Sequence, residues 1–410
     1  MTRARRVLFV TWDGPNSTYL ETLFLPIFAR LRERGFAFHV LQFSWSDASE
    51  RARLAKACER AGLTYRAVTI WRRPVAVGSF VTSVWGRRHV ARALDETHSD
   101  IVMPRSTLPG LAAIPPARRK GLPVLLDADG LPHDERVEFA GASPRGPSYR
   151  ALRRLESWSV RKARAVTVRT AKAASILAAR SGTDESRFFI VPNGRDESLF
   201  RPATVSERLQ GRAELGLTAD QPLLVYPGSS LSGKYRGKDM MRFFAHVREL
   251  RPDARVLLLM PERGESEALL RRFPDLAPYC MWRSAAPNEV PSWLGIADLG
   301  LALIHATFSM QAVSAIKVGE YLLCGLPVLG SAGVGDTDDL ARAGVGYWLQ
   351  NFDGHSLASA AAWFAETVLQ DAEMFRQRCR DAGRAHYSLE SAVAAYERAL
   401  RYTVDPAESL

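Results

Sequence analysis

Residues 314–328 read SAIKVGEYLLCGLPV, and this stretch decides how the rest of the chain is to be read. Ser314 is a natural helix cap, apolar residues recur at helical spacing as far as Cys324, and Gly325-Leu326-Pro327 ends the helix and starts a strand. Just ahead of it, residues 299–304 (LGLALI) are an apolar run of strand length, joined to the helix by the polar loop HATFSMQAV. Strand, loop, helix, turn and strand make one parallel β-α-β unit. Lys317 and Glu320 stand inside this otherwise apolar helix. A carboxylate there needs hydrogen-bond donors, which ribose hydroxyls supply, or else an internal partner such as a backbone amide or Lys317, three residues away.

The same alternation extends in both directions. Strands are expected at 6–12, 37–43, 65–70, 101–104, 123–127, 165–168 and 188–191, and again at 223–226, 255–260, 299–304, 327–329 and 346–349. Helical patterns separate them, and helices over 355–369, 372–385 and 389–403 finish the chain. A chain of 410 residues exceeds one hydrophobic core. The fold class is therefore α/β, with two doubly wound parallel sheets in tandem and a junction near Pro192-Asn193-Gly194. In such sheets ligands bind outside the carboxyl ends of the strands, so loops that follow strands are the candidate sites.

Composition narrows the function classes. Hydrophobic residues make up 47% and charged residues 24%, which excludes a disordered chain. Cys58, Cys280, Cys324 and Cys379 are far apart and form no metal-binding or disulfide pattern. The apolar run after the N-terminus, about six residues, is too short for a signal peptide, and no stretch approaches the ~20 apolar residues of a membrane span, so a cytoplasmic protein is expected. The net charge of +11 is uneven: residues 1–200 hold 33 Lys+Arg against 19 Asp+Glu, and the remainder 22 against 25. That asymmetry points the first half at an anionic partner. Residues 150–172 concentrate Arg153, Arg154, Arg161, Lys162 and Arg164 beside Leu152, Leu155 and Trp158, either a face for an acidic membrane or a solvated basic face of a core helix. No nucleic-acid reading motif is present.

Four loops carry polar chemistry. Residues 11–18 (TWDGPNST) offer Gly14 and Asn16 at a helix start, where anions or sugar oxygens are accepted. Arg105 follows a strand directly and is expected to present an unpaired guanidinium. The stretch 127–141 crowds Asp127, Asp129 and His133 at a strand end, a set that orients hydroxyls but lacks metal-ligand spacing. In residues 226–238 (YPGSSLSGKYRGK), Gly228, Ser229 and Ser230 let backbone approach an anion while Lys234 and Lys238 supply charge. This is no Walker A loop, and Gly333-Val334-Gly335 lacks the rest of a dinucleotide fingerprint, which disfavours a nicotinamide enzyme.

Two segments together resemble one family. VPNGRDESLFRP (191–202) is similar to the inter-domain segment, and SAIKVGEYLLCGLPV to the donor-site helix, of the retaining nucleotide-sugar glycosyltransferases of the GT-B fold, family 4. The resemblance implies two Rossmann-like domains with a cleft between them: an acceptor domain over 1–190, with 386–410 packing back on it, and a donor domain over 191–385. It implies that Glu320 holds the ribose, and that the helix start at Val313, Ser314 and Ala315, with Lys317 and either Lys234 or Lys238, neutralises the leaving diphosphate beside Gly228, Ser229 and Ser230. Gly14, Asn16, Arg105, Asp127, Asp129 and His133 become acceptor-side residues, and Lys234, Lys238 and Glu320 the catalytic set. The family's second glutamate, eight residues before the ribose one, is Ala312 here, which moves sugar contacts to Ser309, Gln311 or backbone. The implied activity is retaining transfer from a nucleotide-diphosphate sugar to a saccharide or lipid-linked acceptor in cell-surface polysaccharide or glycolipid biosynthesis. It needs no metal or cofactor and no nucleic acid, and it allows peripheral contact with an anionic membrane at its inner face. A nucleotide-sugar epimerase of GT-B architecture and an inactive nucleotide-sugar-binding subunit are the competing readings.

Overall fold

The computed structural model describes residues 3–15, 17–71, 75–228 and 233–405; Asn16, Ser229 and Ser230 lie outside the described residues. The chain divides into two compact units, Met1–Gly194 with Leu389–Leu410, and Arg195–Ser388.

In the first unit the strands are β1 (Arg5–Asp13), β2 (Phe36–Ser44), β3 (Thr64–Thr69), β4 (Ile101–Pro104), β5 (Leu125–Asp127), β6 (Ala165–Val168) and β7 (Phe188–Ile190). They form a four-stranded sheet in the order β3-β2-β1-β4 and a three-stranded sheet β5-β6-β7. Parallel bridges Val102↔Val124 and Arg105↔Asp127 join the two edges into one surface. Every pairing is parallel. The core packs Phe9, Phe24, Phe28 and Phe38 with Val393, Tyr396 and Leu400 of the helix Leu389–Val404, so that late segment is part of the first unit's interior.

The second unit holds β8 (Leu223–Pro227), β9 (Arg255–Leu259), β10 (Cys280–Arg283), β11 (Leu299–Ala302), β12 (Val328–Ser331) and β13 (Gly346–Leu349). Their order is β10-β9-β8-β11-β12-β13, again all parallel. In both units chain order reverses beside the first strand, between β1 and β4 and between β8 and β11, and these switch points are where an open parallel sheet leaves a crevice at its carboxyl edge. Among the described residues no helix is long and apolar enough to cross a membrane.

Candidate functional site

The second unit's switch point is built around the helix Ile316–Leu323. Tyr321 donates 2.9 Å to Leu301 O on β11, and its ring covers Gly300, where an added Cβ would collide with it. On the other side the Tyr387 ring presses on Gly319, 2.8 Å from where a Cβ would stand. Small residues at 300 and 319 thus let strand, helix and aromatic rings close up, and Gly325, at φ 74°, ends the helix in the left-handed conformation that glycine favours.

That packing buries two charges. Lys317 is 8% exposed; its Nζ donates 2.9 Å to Pro227 O at the end of β8 and lies 4.1 Å from the ring centres of both Tyr226 and Tyr235. Burial pushes this amine down to about 7, against an opposing pull from Glu320. Gly228 follows at φ 111°, and its free face abuts the amine: an added Cβ would lie 3.5 Å from Nζ. Burial also raises the Glu320 pKa, opposed first by Arg195, whose Nε donates 2.9 Å to Oε1. Arg195 is itself fixed by backbone, its N–H donating 2.9 Å to Tyr387 O.

Arg195 is the partner that the sequence does not reveal. Neither a backbone amide nor Lys317 takes that part, and 125 positions separate Arg195 from Glu320. The visible signal is only the place of Arg195 immediately after Val191-Pro192-Asn193-Gly194.

Several expected donor-side residues shift in role. Ser314 does not cap the helix: the cap position is Ala315, with no side-chain hydrogen bond, and Ser314 instead pairs with the Tyr387 hydroxyl. Val313 ends the short turn Ser309–Ala312 in extended backbone. Ser309 and Ala312 are each 1% exposed and face inward, whereas Gln311 is half-buried and donates 3.3 Å to Phe308 O. Lys234 and Tyr235 are held against the end of β11, since His305 N–H donates 2.9 Å to Lys234 O and Tyr235 bridges Ile304. Lys238 is exposed in the first turn of the helix Gly237–Leu250.

The first unit's switch point centres on Arg105, and the expectation of an unpaired guanidinium is corrected. Arg105 is 8% exposed, donates 2.7 Å to Asp129 and lies 3.7 Å from both Asp13 and Asp127. Burial would lower its pKa, but Asp129, Asp127 and Asp13 together raise it. The Tyr19 and Phe24 rings flank it at 5.1 and 5.3 Å. Asp127 is fully buried, accepting from Thr167 (2.7 Å), Arg169 (3.0 and 3.1 Å) and Tyr396 (3.1 Å), so it locks the sheet to the helix Leu389–Val404 and presents nothing to an acceptor. His133 is buried too, with Nε2 2.9 Å from Thr107 Oγ1, and burial pushes its pKa down to about 4, so it is neutral at pH 7. Gly14 makes room for Trp45, with which any Cβ would collide. Asp129, with 42% of its side chain exposed, remains accessible. Just before the helix Thr107–Arg119, Ser106 sits at φ 71° and ψ −177°, a strained conformation of the kind that collects at binding loops.

The basic helix Pro147–Lys162 is largely occupied within its own unit. Arg153 engages Asp134 and Glu156, Arg161 donates 3.5 Å to Ser181 O, and Leu152, Leu155 and Trp158 are half-buried. Just beyond that helix, Arg164 donates 3.1 Å to both Thr403 O and Val404 O. Arg154 and Lys162 remain exposed.

Residues 20–199 match the family model described as Glycosyltransferase Family 4. The chain has the GT-B fold, and the family match lies within its first half. Among curated proteins none matches this chain by sequence. Solved structures share its fold at low identity. HepE of Anabaena, in complex with UDP, superposes at a TM-score of 0.71 with 14% identity, covering 96% of this chain and 99% of that one. WaaG, a glycosyltransferase involved in lipopolysaccharide biosynthesis, superposes at 0.70 with 18% identity, covering 97% and 100%. A putative UDP-N-acetylglucosamine 2-epimerase from Listeria monocytogenes superposes at 0.65 with 14% identity, covering 98% and 97%. The fold therefore serves both chemistries, and the family model that matches residues 20–199 is one of glycosyltransferases.

Proposed function

We propose that this chain is a glycosyltransferase that moves a sugar from a nucleotide diphosphate, UDP-sugars being the first candidates, to a hydroxyl of a saccharide or lipid-linked acceptor, with retention of anomeric configuration. The observation that carries the reading is the convergence of Gly228, Lys317 and the Arg195-braced Glu320 at one switch point of the second unit. Glu320 takes the ribose hydroxyls. The backbone at Gly228, the segment Val313 to Ala315 that leads into the helix Ile316–Leu323 and the Lys317 charge receive the diphosphate, and Lys234 or Lys238 adds a second cation from the loop.

In the reaction the acceptor oxygen bonds to the anomeric carbon on the face from which the diphosphate leaves. The glycosidic C–O bond to phosphate breaks with its electron pair going to the diphosphate, which also accepts the acceptor's proton. Fixed positive charge stabilises that leaving group, the kind of effect worth roughly 10²–10³ in rate per donor. The chain supplies this charge itself, so the reading requires no metal. Supporting a UDP-sugar donor, structures of HepE hold UDP and UDP-glucose. The basic first half and the lipopolysaccharide role of WaaG support a cell-surface polysaccharide or glycolipid pathway, at the inner face of the cell membrane with peripheral contact to anionic lipid.

The test is a panel of nucleotide sugars, first by thermal shift and then by nucleotide release with and without sugar acceptors. Glu320→Ala, and Lys234→Ala combined with Lys238→Ala, are expected to lower turnover at least about 100-fold. Unchanged turnover would remove those residues from the site; interconversion of the donor without any acceptor would replace transfer by epimerisation, and binding without turnover would leave only a binding subunit.

A further inference from the structure

The helix Val75–Thr97 is inside out over part of its length. Ser83 is fully buried, its Oγ donating 2.9 Å to Ser79 O, and Gly86 is buried against the Phe43 ring, 2.8 Å from where a Cβ would stand. On the opposite side Phe80 is 53% exposed, Val84 36% and Trp85 65%; Trp71, just ahead of the helix, is 57% exposed. At 100° per residue, positions 80, 84, 85, 88 and 92 fall on one face. Arg88 stacks over the Trp85 ring at 5.3 Å and continues the face in charge, followed by Arg92, which is 69% exposed in its side chain while its Nε donates 2.6 Å to Glu96. Further along, the helix returns to ordinary order, with Val90, Ala93 and Leu94 buried.

Single exposed apolar residues are common, but aromatics placed side by side in water above a small, polar inner face mark a contact surface. The chemistry of the face selects its occupant. Indole and phenyl rings bordered by arginines suit the headgroup level of a bilayer, where rings enter the acyl boundary and guanidiniums meet lipid phosphates. Topology adds a reason: the helix follows β3, so its first turns lie at the carboxyl edge of the first unit's sheet, the edge that also carries Asp13, Arg105 and Asp129. A bilayer on this face would present a lipid-linked hydroxyl beside that edge.

We infer that the face formed by Phe80, Val84 and Trp85, continued by Arg88 and Arg92, docks on an anionic membrane surface. The inference rests on the reading of a lipid-linked acceptor, and it moves the contact away from the basic helix Pro147–Lys162.

The experiment is sedimentation of the full chain with vesicles of phosphatidylcholine alone and of phosphatidylcholine mixed with phosphatidylglycerol, beside hydrolysis of UDP-glucose in vesicle-free buffer. The wild type is expected to bind the anionic vesicles. Phe80→Ser combined with Trp85→Ser should reduce partitioning at least about tenfold while melting temperature and hydrolysis stay unchanged, as befits exposed positions. Arg88→Glu with Arg92→Glu should weaken binding to the anionic vesicles, and Arg154→Glu with Lys162→Glu should bind as the wild type does. The inference is overturned by a wild type that stays in solution, by a serine pair that binds normally, by loss confined to the Arg154/Lys162 variant, or by a solution dimer that the serine pair dissolves, which would make a second copy the occupant. Hydrolysis without vesicle binding sinks the surface and leaves the enzyme; vesicle binding without hydrolysis does the reverse.

Discussion

Lys317 and Glu320 share one helix three residues apart, and burial moves both toward neutrality: the amine is pushed down to about 7 and the carboxyl is raised. A diphosphate bound at Gly228 would favour the protonated amine, so donor affinity should be highest below pH 7 and decline as pH rises through the amine's titration. Donor KM measured from pH 6 to 9 should rise in the wild type and stay flat in Lys317→Gln; parallel profiles would show that the amine is not at the diphosphate. Arg195→Met removes the charged hydrogen bond that opposes the effect of burial on Glu320, and donor KM should rise roughly 10- to 100-fold with a smaller change in kcat, as expected for a loss of roughly 1.5–3 kcal/mol in ground-state binding. In the first unit, Asp127→Ala leaves the buried Arg169 without its carboxylate, for which a destabilisation of about 3–5 kcal/mol is expected by urea denaturation. A loss under 1 kcal/mol would show that water or Asp129 replaces it.

Strands and helices with a clear apolar period were legible because burial on both faces of a parallel strand leaves a continuous run: Ile101–Pro104, Ala165–Val168 and Leu299–Ala302 fall where the pattern puts them. Strand β10, Cys280–Arg283, was not, because it is an edge strand whose apolar run, Cys280-Met281-Trp282, is short, holds no β-branched residue and ends in Arg283. The helix start at residue 314 was misplaced by two residues because Ser314 has the right side chain but a different partner, Tyr387. The site was legible as far as its residue types, and opaque in its pairings: Arg105 and its three carboxylates come from three different strand ends, and no local spacing announces that they meet. Packing glycines belong to this scale as well. Gly319→Ala, which pushes a methyl into the Tyr387 ring, should cost about 1–3 kcal/mol despite better helix propensity, whereas Gly354→Ala, with open space around it, should be neutral or stabilising. Equal melting temperatures for the two variants would mean that the ring yields freely.

At the scale of the molecule, two units of the same parallel architecture arise from one chain, and the first unit is discontinuous in sequence. Tyr396 joins its core to the Asp127–Arg169 pair, so Tyr396→Ala removes a fully buried ring together with a hydrogen bond; a loss of about 3–5 kcal/mol is expected, measured by chemical denaturation. Little change would mean that the late helix is dispensable to that core. Its place in the core also sets an order of assembly on the ribosome. The unit synthesised first is the last to be complete, because residues 195–388 must be made before Leu389–Val404 can enter, a delay of roughly 10–40 s at ordinary elongation rates. For that interval the surfaces around Phe28, Phe38 and Asp127 lack their final cover, so cellular yield should depend on chaperone supply more steeply than the finished protein's stability alone would suggest.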